Sequence, residues 1–192
     1  MNELPKGYAQ IRRIDLLRNR REAIAVNLLA FGVMLAMLAL GFLICPPFTE
    51  FTIGAHTLVS IGLTIVGVIV YMAAHELVHG ALMRTYSGVR PRYGCTGLYA
   101  YAGSDALFDR RQYLRIAFAP VVLLGVLLAA FTVAFYHTLF WYFYIVQIVN
   151  ISGAAGDFYV GLQIGKAPRD VLIRDAGTHM TLYSAAGSAS KR

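Results

Sequence analysis

The sequence predicts an α-helical integral membrane protein with four transmembrane helices and a short β-hairpin-like loop, on the cytoplasmic side, between the second and third. Three observations carry that prediction. Hydrophobic residues make up 58% of the 192-residue chain against 14% charged, and the mean hydropathy of +0.59 lies outside the range of ordinary soluble domains. The apolar residues gather into runs long enough to cross a bilayer. All 17 Lys and Arg fall in three blocks, with none between the first and second runs or between the third and fourth.

Residues 1–22 are polar and basic, and IRRIDLLRNRREA suits either a short amphipathic helix on a membrane surface or a solvated cytoplasmic tail. This segment is not a signal peptide, because the run after it is long and has no clear small-residue cleavage site, so the first span is expected to be retained. Span one covers residues 23–45 without a charge and is stopped by Pro46 and Pro47. Span two covers 55–84. Residues 86–112 break the pattern with Gly88, Pro91, Gly94, Gly97 and Gly103 and read as a loop with a hairpin. In that loop Asp105 and Asp109 are expected to cap the next helix or to pair with arginines.

Span three, 114–136, holds Pro120, which leaves a backbone carbonyl without its helical partner and kinks the helix. Span four, 139–164, carries NISGAAGDFY and so puts Asn150 and Asp157 in an apolar setting. The four spans make one membrane domain over 23–165. Residues 166–192 form a cytoplasmic tail in which VLIRDAGTHMTLYS suggests a small hairpin around Asp175 to Gly177, with a solvated His179 and a disordered Ser/Ala/Gly-rich end.

The positive-inside rule then places both termini and the middle loop in the cytoplasm of a multi-pass cell-membrane protein. It also accounts for the net charge of +7. The basic residues are neither grouped in a nucleic-acid-binding motif nor interleaved with aromatics on a polar face, so no nucleic-acid partner is expected. Cys45 and Cys95 fall on opposite sides of the membrane and predict no disulfide.

The chemistry is concentrated in Tyr71 to Leu82, YMAAHELVHGAL. His75 and His79 lie one helical turn apart on one face and can hold a single ion. Glu76 stands beside them, where a carboxylate can take a proton from water at the metal, so the spacing encodes both a Zn²⁺ site and the general base of a hydrolase. The alternatives are polar glue between helices or a proton relay, and against them stands Glu76, since a purely structural pair of histidines gains nothing from a neighbouring carboxylate in hydrocarbon.

A catalytic zinc takes three protein ligands and keeps one position open. Asp157 is the only carboxylate in span four, and its depth differs from that of His79 by about 6 Å at 1.5 Å per residue. It is therefore the expected third ligand, whereas His56 and His137 sit at the far end of the bundle. Gly153 and Gly156 would let two helices approach closely there. Asn150 is assigned to the substrate backbone or the developing oxyanion, with helix packing as an equal account.

HELVH in one span, with an Asn followed seven positions later by Asp in another, resembles the site-2 protease group of intramembrane zinc metalloproteases, and more closely the small bacterial zincin-type membrane peptidases. Gly153 stands where that group typically has Pro, and Phe158 where it has Gly. The resemblance spans about residues 55–165. It implies zinc on His75, His79 and Asp157, a catalytic Glu76, and an edge strand of the middle loop presented to a membrane-embedded peptide or protein substrate. An oligomer or a regulatory membrane partner is compatible with the sequence. The rival reading is a non-proteolytic metal carrier or sensor, or a degenerate protease that binds transmembrane helices. A carrier usually shows repeat symmetry, and spans one and two are not repeated in three and four.

Overall fold

The computed structural model describes residues 3–47, 55–96 and 100–185, and the side chains of Ala55 and His56 fall outside the description. The helices are α1 (Arg20–Ile44), α2 (Ala55–Ser87), α3 (Arg110–Ala134), α4 (Tyr136–Gly153) and α5 (Ala155–Lys166). Four helical stretches, the last formed by α4 and α5 together, are long and apolar enough to cross a membrane.

The strands are β1 (Tyr8–Ile14), β2 (Arg92–Cys95), β3 (Ala100–Asp109), β4 (Leu172–Asp175) and β5 (Met180–Ala185). They form one five-stranded sheet in the order β1-β5-β4-β3-β2, antiparallel throughout. This corrects the expectation of an α-helical protein whose β structure is limited to a hairpin-like loop. Hairpins do form from the middle loop and from the tail, but β3 pairs with β4 and joins them. The N-terminal segment, expected as a surface helix or a free tail, becomes β1, which pairs with β5 from Tyr8 opposite Ala185 to Ile14 opposite Met180. The expected disordered end lies outside the described residues.

The sheet exists because its inner face has a partner. Ile14, Ala106, Phe108, Ile173, Met180 and Leu182 pack into one buried cluster with Met83 of α2, Tyr113, Ile116 and Ala117 of α3, and Ile164 of α5. Polar contacts tie the same end together. Asp109 caps α3, accepting from the Gln112 backbone N–H at 2.8 Å, while the Gln112 side chain accepts from the Asp109 N–H at 3.1 Å, a reciprocal capping box. Asp105 instead pairs with Arg92 at 2.6 and 2.7 Å. The Arg110 guanidinium donates to the carbonyls of Ile164, Gly165 and Ala167, meeting the orphan acceptors at the end of α5.

Away from the sheet the helices are thinly covered, and Leu58, Val70, Leu123, Val126 and Leu162 are among the large apolar side chains left exposed. Close packing there depends on glycine. A Cβ on Gly161 would meet the Phe118 ring, and one on Gly41 would meet Tyr144.

Candidate metal centre

α2 is unbroken through the motif, so His75 and His79 project from one face, both 8% exposed. Their Nε2 atoms are 3.1 Å apart. Asp157 joins them from the last helical stretch, which does not run straight. Expected as one span, it breaks at Ala154, where α4 ends and α5 begins. That break puts Asp157 in the first turn of α5, at the positive end of a helix dipole. Its Oδ2 is 3.3 Å from His75 Nε2 and its Oδ1 is 3.6 Å from His79 Nε2.

These separations can be tested against a metal shell. Donors at about 2.0–2.1 Å from a tetrahedral ion stand about 3.3 Å from one another; the two Nε2 atoms at 3.1 Å are close to that value, and one ligand atom from each of the three residues lies within 4.8 Å of the others. Among the described residues His75, His79 and Asp157 are the group able to hold a metal in this way. The donor set fits zinc. Asp105 and Asp109 are occupied elsewhere, as described above.

Glu76 lines a cavity of about 770 Å³ together with His75, His79 and Asp157. Ala102 of β3 stands on the same cavity wall, so the sheet borders the side chain that the motif supplies. Gly153 and Gly156 also border this cavity, and a Cβ on either would meet nothing within 4 Å. They leave space beside Asp157, whereas the close helix approach expected of them occurs at Gly125 and Gly161.

Asn150 is fully buried at 0% exposure. Its Oδ1 accepts from the Tyr71 hydroxyl at 3.1 Å, and its Nδ2 donates to the Val121 carbonyl at 3.1 Å and to Gln147 Oε1 at 3.4 Å. The Tyr71 oxygen is also 2.9 Å from His75 Nδ1. The Nδ1 of His79 is 2.9 Å from the Ile116 carbonyl. The structure brings His75, Glu76, His79 and Asp157 to one cavity and places Asn150 behind His75.

Sequence reasoning missed several members of the cavity wall. Tyr71, Tyr113, Asp175 and His179 all line it. His179, expected to be solvated, is half-buried in the connection between β4 and β5. Asp175 accepts from the Tyr113 hydroxyl and from the Gly177 N–H at 2.8 Å. Burial holds its carboxyl above the ordinary carboxylate range, against the lowering effect of those two bonds. For Asp175 and His179 the tail hairpin is the one sequence signal, and it does not say what the hairpin packs against.

Two histidines a helical turn apart, a carboxylate from another helix and a second carboxylate beside them in a cavity make a donor set suited to a zinc site of the hydrolase type. The chain belongs to the family of putative zincin peptidases, whose model matches residues 68–172, from the motif half of α2 to the first residue of β4. Membership implies zinc as the ion and peptide hydrolysis as the chemistry. Comparison with curated proteins and with solved structures gave no match.

Proposed function

We propose that this chain is an intramembrane zinc metallopeptidase of the site-2 protease type, which hydrolyses peptide bonds of membrane-embedded peptides or single-span proteins near the cytoplasmic leaflet. The observation that carries the reading is the convergence of His75, His79 and Asp157 at ligand spacing, with Glu76 on the same cavity wall. The membrane setting is supported by the four apolar stretches and their exposed side chains. Among the described residues, every Lys and Arg outside those stretches belongs to the sheet end or to the segments beside it, and the positive-inside rule turns that end to the cytoplasm.

His75, His79 and Asp157 hold the ion in this reading. When bound there, zinc polarises a peptide carbonyl and acidifies a water at the site. Glu76, on the cavity wall with Ala102, takes a proton from the attacking water as the water oxygen bonds to the carbonyl carbon. Glu76 then passes that proton to the amine nitrogen as the C–N bond breaks. A substrate helix has its carbonyls occupied by its own hydrogen bonds and must unwind to be cut. β2 is an outer strand of the sheet, next to β3, which packs on α2, and an unwound segment held extended alongside it would lie close to the motif helix.

The test is Glu76→Gln in the full chain, purified in detergent and supplied with single-span substrates. It is expected to keep one zinc per chain and to lose cleavage by at least about 10³-fold, as removal of a general base and its charge should. Cleavage at the wild-type rate by the Gln variant overturns the assignment.

A further inference from the structure

We propose that α3 fixes the proton on both ligand histidines: the Ile116 carbonyl freed by Pro120 holds His79, and the Val121 carbonyl holds His75 through Asn150 and Tyr71. The proposal rests on the metal-centre reading above. A neutral imidazole binds a metal through one ring nitrogen only when its proton sits on the other. Left free, each ring divides between two tautomers, and in one of them the nitrogen facing the site carries hydrogen and cannot bind.

For His79 the argument is short. In a helix the N–H of residue i bonds the carbonyl of residue i−4, and Pro120, buried inside α3, has no N–H. The carbonyl it leaves without a helical partner is that of Ile116. The His79 Nδ1 lies 2.9 Å from this oxygen. A carbonyl can only accept, so Nδ1 carries a proton and Nε2 is the nitrogen that faces His75 and Asp157.

For His75 the partner is a hydroxyl, which can donate or accept, so the direction must come from further away. The Val121 carbonyl can only accept, and it lies 3.1 Å from the Asn150 side chain. That places the amide nitrogen there and turns Oδ1 to Tyr71, at 3.1 Å. Oδ1 can only accept, so it takes the single hydroxyl hydrogen of Tyr71. The Tyr71 oxygen, 2.9 Å from His75 Nδ1, is left as the acceptor for an N–H. His75 too therefore keeps its proton on Nδ1 and turns Nε2 to the site. The approach needs Gly125, since a Cβ there would sit 2.9 Å from the Asn150 nitrogen.

Tyr71, Asn150 and Pro120 are positioning residues in this account. Two independent anchors on one helix keep a proton on Nδ1 of each ring, so that Nε2 is the nitrogen each ligand offers to an ion. Loss of such an outer partner typically weakens a metal site by about 10- to 100-fold.

The experiment uses the full chain in detergent, with zinc affinity measured against a competing chelator and histidine side-chain ¹⁵N signals recorded with and without zinc. The wild type is expected to bind zinc through Nε2 of both rings, with Nδ1 protonated. Pro120→Ala gives the Ile116 carbonyl back to the helix; it should weaken zinc by about 10- to 100-fold and disturb the tautomer of His79 alone. Tyr71→Phe keeps the ring, so it still reports if the proline variant fails to fold, and it should disturb His75 alone. Zinc affinities within twofold of wild type with unchanged ¹⁵N signals, or ligation through Nδ1, overturn the proposal while leaving the metal centre standing. A wild-type chain that takes up no zinc, or takes it up without moving either histidine, overturns the metal-centre reading and this proposal with it.

Discussion

The two ends of the molecule treat apolar side chains in opposite ways. At the sheet end they are enclosed, and Phe108 of β3 is 0% exposed between strands and helices. Along the helices away from the sheet they face outward, with Leu58 of α2 73% exposed and Leu123 of α3 59% exposed. Hydrophobicity alone therefore does not distinguish core from surface in this chain; what distinguishes them is whether a second layer covers the residue. The candidate metal centre lies where the two regimes meet, with His75, His79 and Asp157 on helices and Ala102 of β3 on the wall of the same cavity.

The contrast is broken most directly by truncation. Phe108→Ala removes a ring from the enclosed end and is expected to cost about 3–5 kcal/mol of stability. Leu58→Ala removes an outward side chain and should change stability in detergent by no more than about 0.5 kcal/mol. Thermal unfolding of the two variants compares the ends, and equal losses would show that the outer helices are covered in the working protein by something other than lipid or detergent.

A charge sharpens the same comparison. If the outward face of α3 meets lipid, Leu123→Arg places a cation near the middle of a span and should cost about 2.5–3.5 kcal/mol of membrane insertion. On a face in contact with water the same change would stay within about 0.5 kcal/mol. The membrane-integrated fraction of the variant, set against that of Leu123→Ala, decides between them. A smaller effect belongs to the sheet end, where Asp109→Ala removes the α3 cap and should lower stability by about 1 kcal/mol.

How much could be read from the chain follows from the same division. Helices advertise themselves through continuous apolar runs, and the observed bounds of α1 and α2 lie within three residues of the expected ones. The motif is local and survives as a string. Asp157 was found because span four offers a single carboxylate at the right depth, although the helix break that turns it towards the histidines was not foreseen. The sheet was hidden because β1 and β5 stand at opposite ends of the chain, and YAQIRRI is exposed along most of its length and so shows no clear alternation. Pro120 signalled a free carbonyl. What occupies that carbonyl, a ring from a helix packed alongside, is a tertiary fact that no local pattern carries.

His179 and Asp175 are the residues most changed by seeing the sheet, and Asp175 allows a test of the enclosed end by pH. Burial raises its carboxyl above the ordinary range, so the folded state favours the protonated form more than the unfolded chain does. The stability this group contributes is present below the ordinary aspartate range and is lost as pH rises through the raised value. Asp175→Asn keeps an acceptor for the Gly177 N–H and a polar partner for the Tyr113 hydroxyl, but it cannot ionise. The variant is therefore expected to unfold at about the wild-type temperature in acid and to gain on wild type as the pH is raised above the carboxylate range. Melting curves of the two chains at several pH values should diverge in that direction; curves that stay parallel, or a variant that falls behind at high pH, would mean that the charged carboxylate is stabilised where it sits and that the wall of the cavity carries a permanent negative charge opposite the histidines.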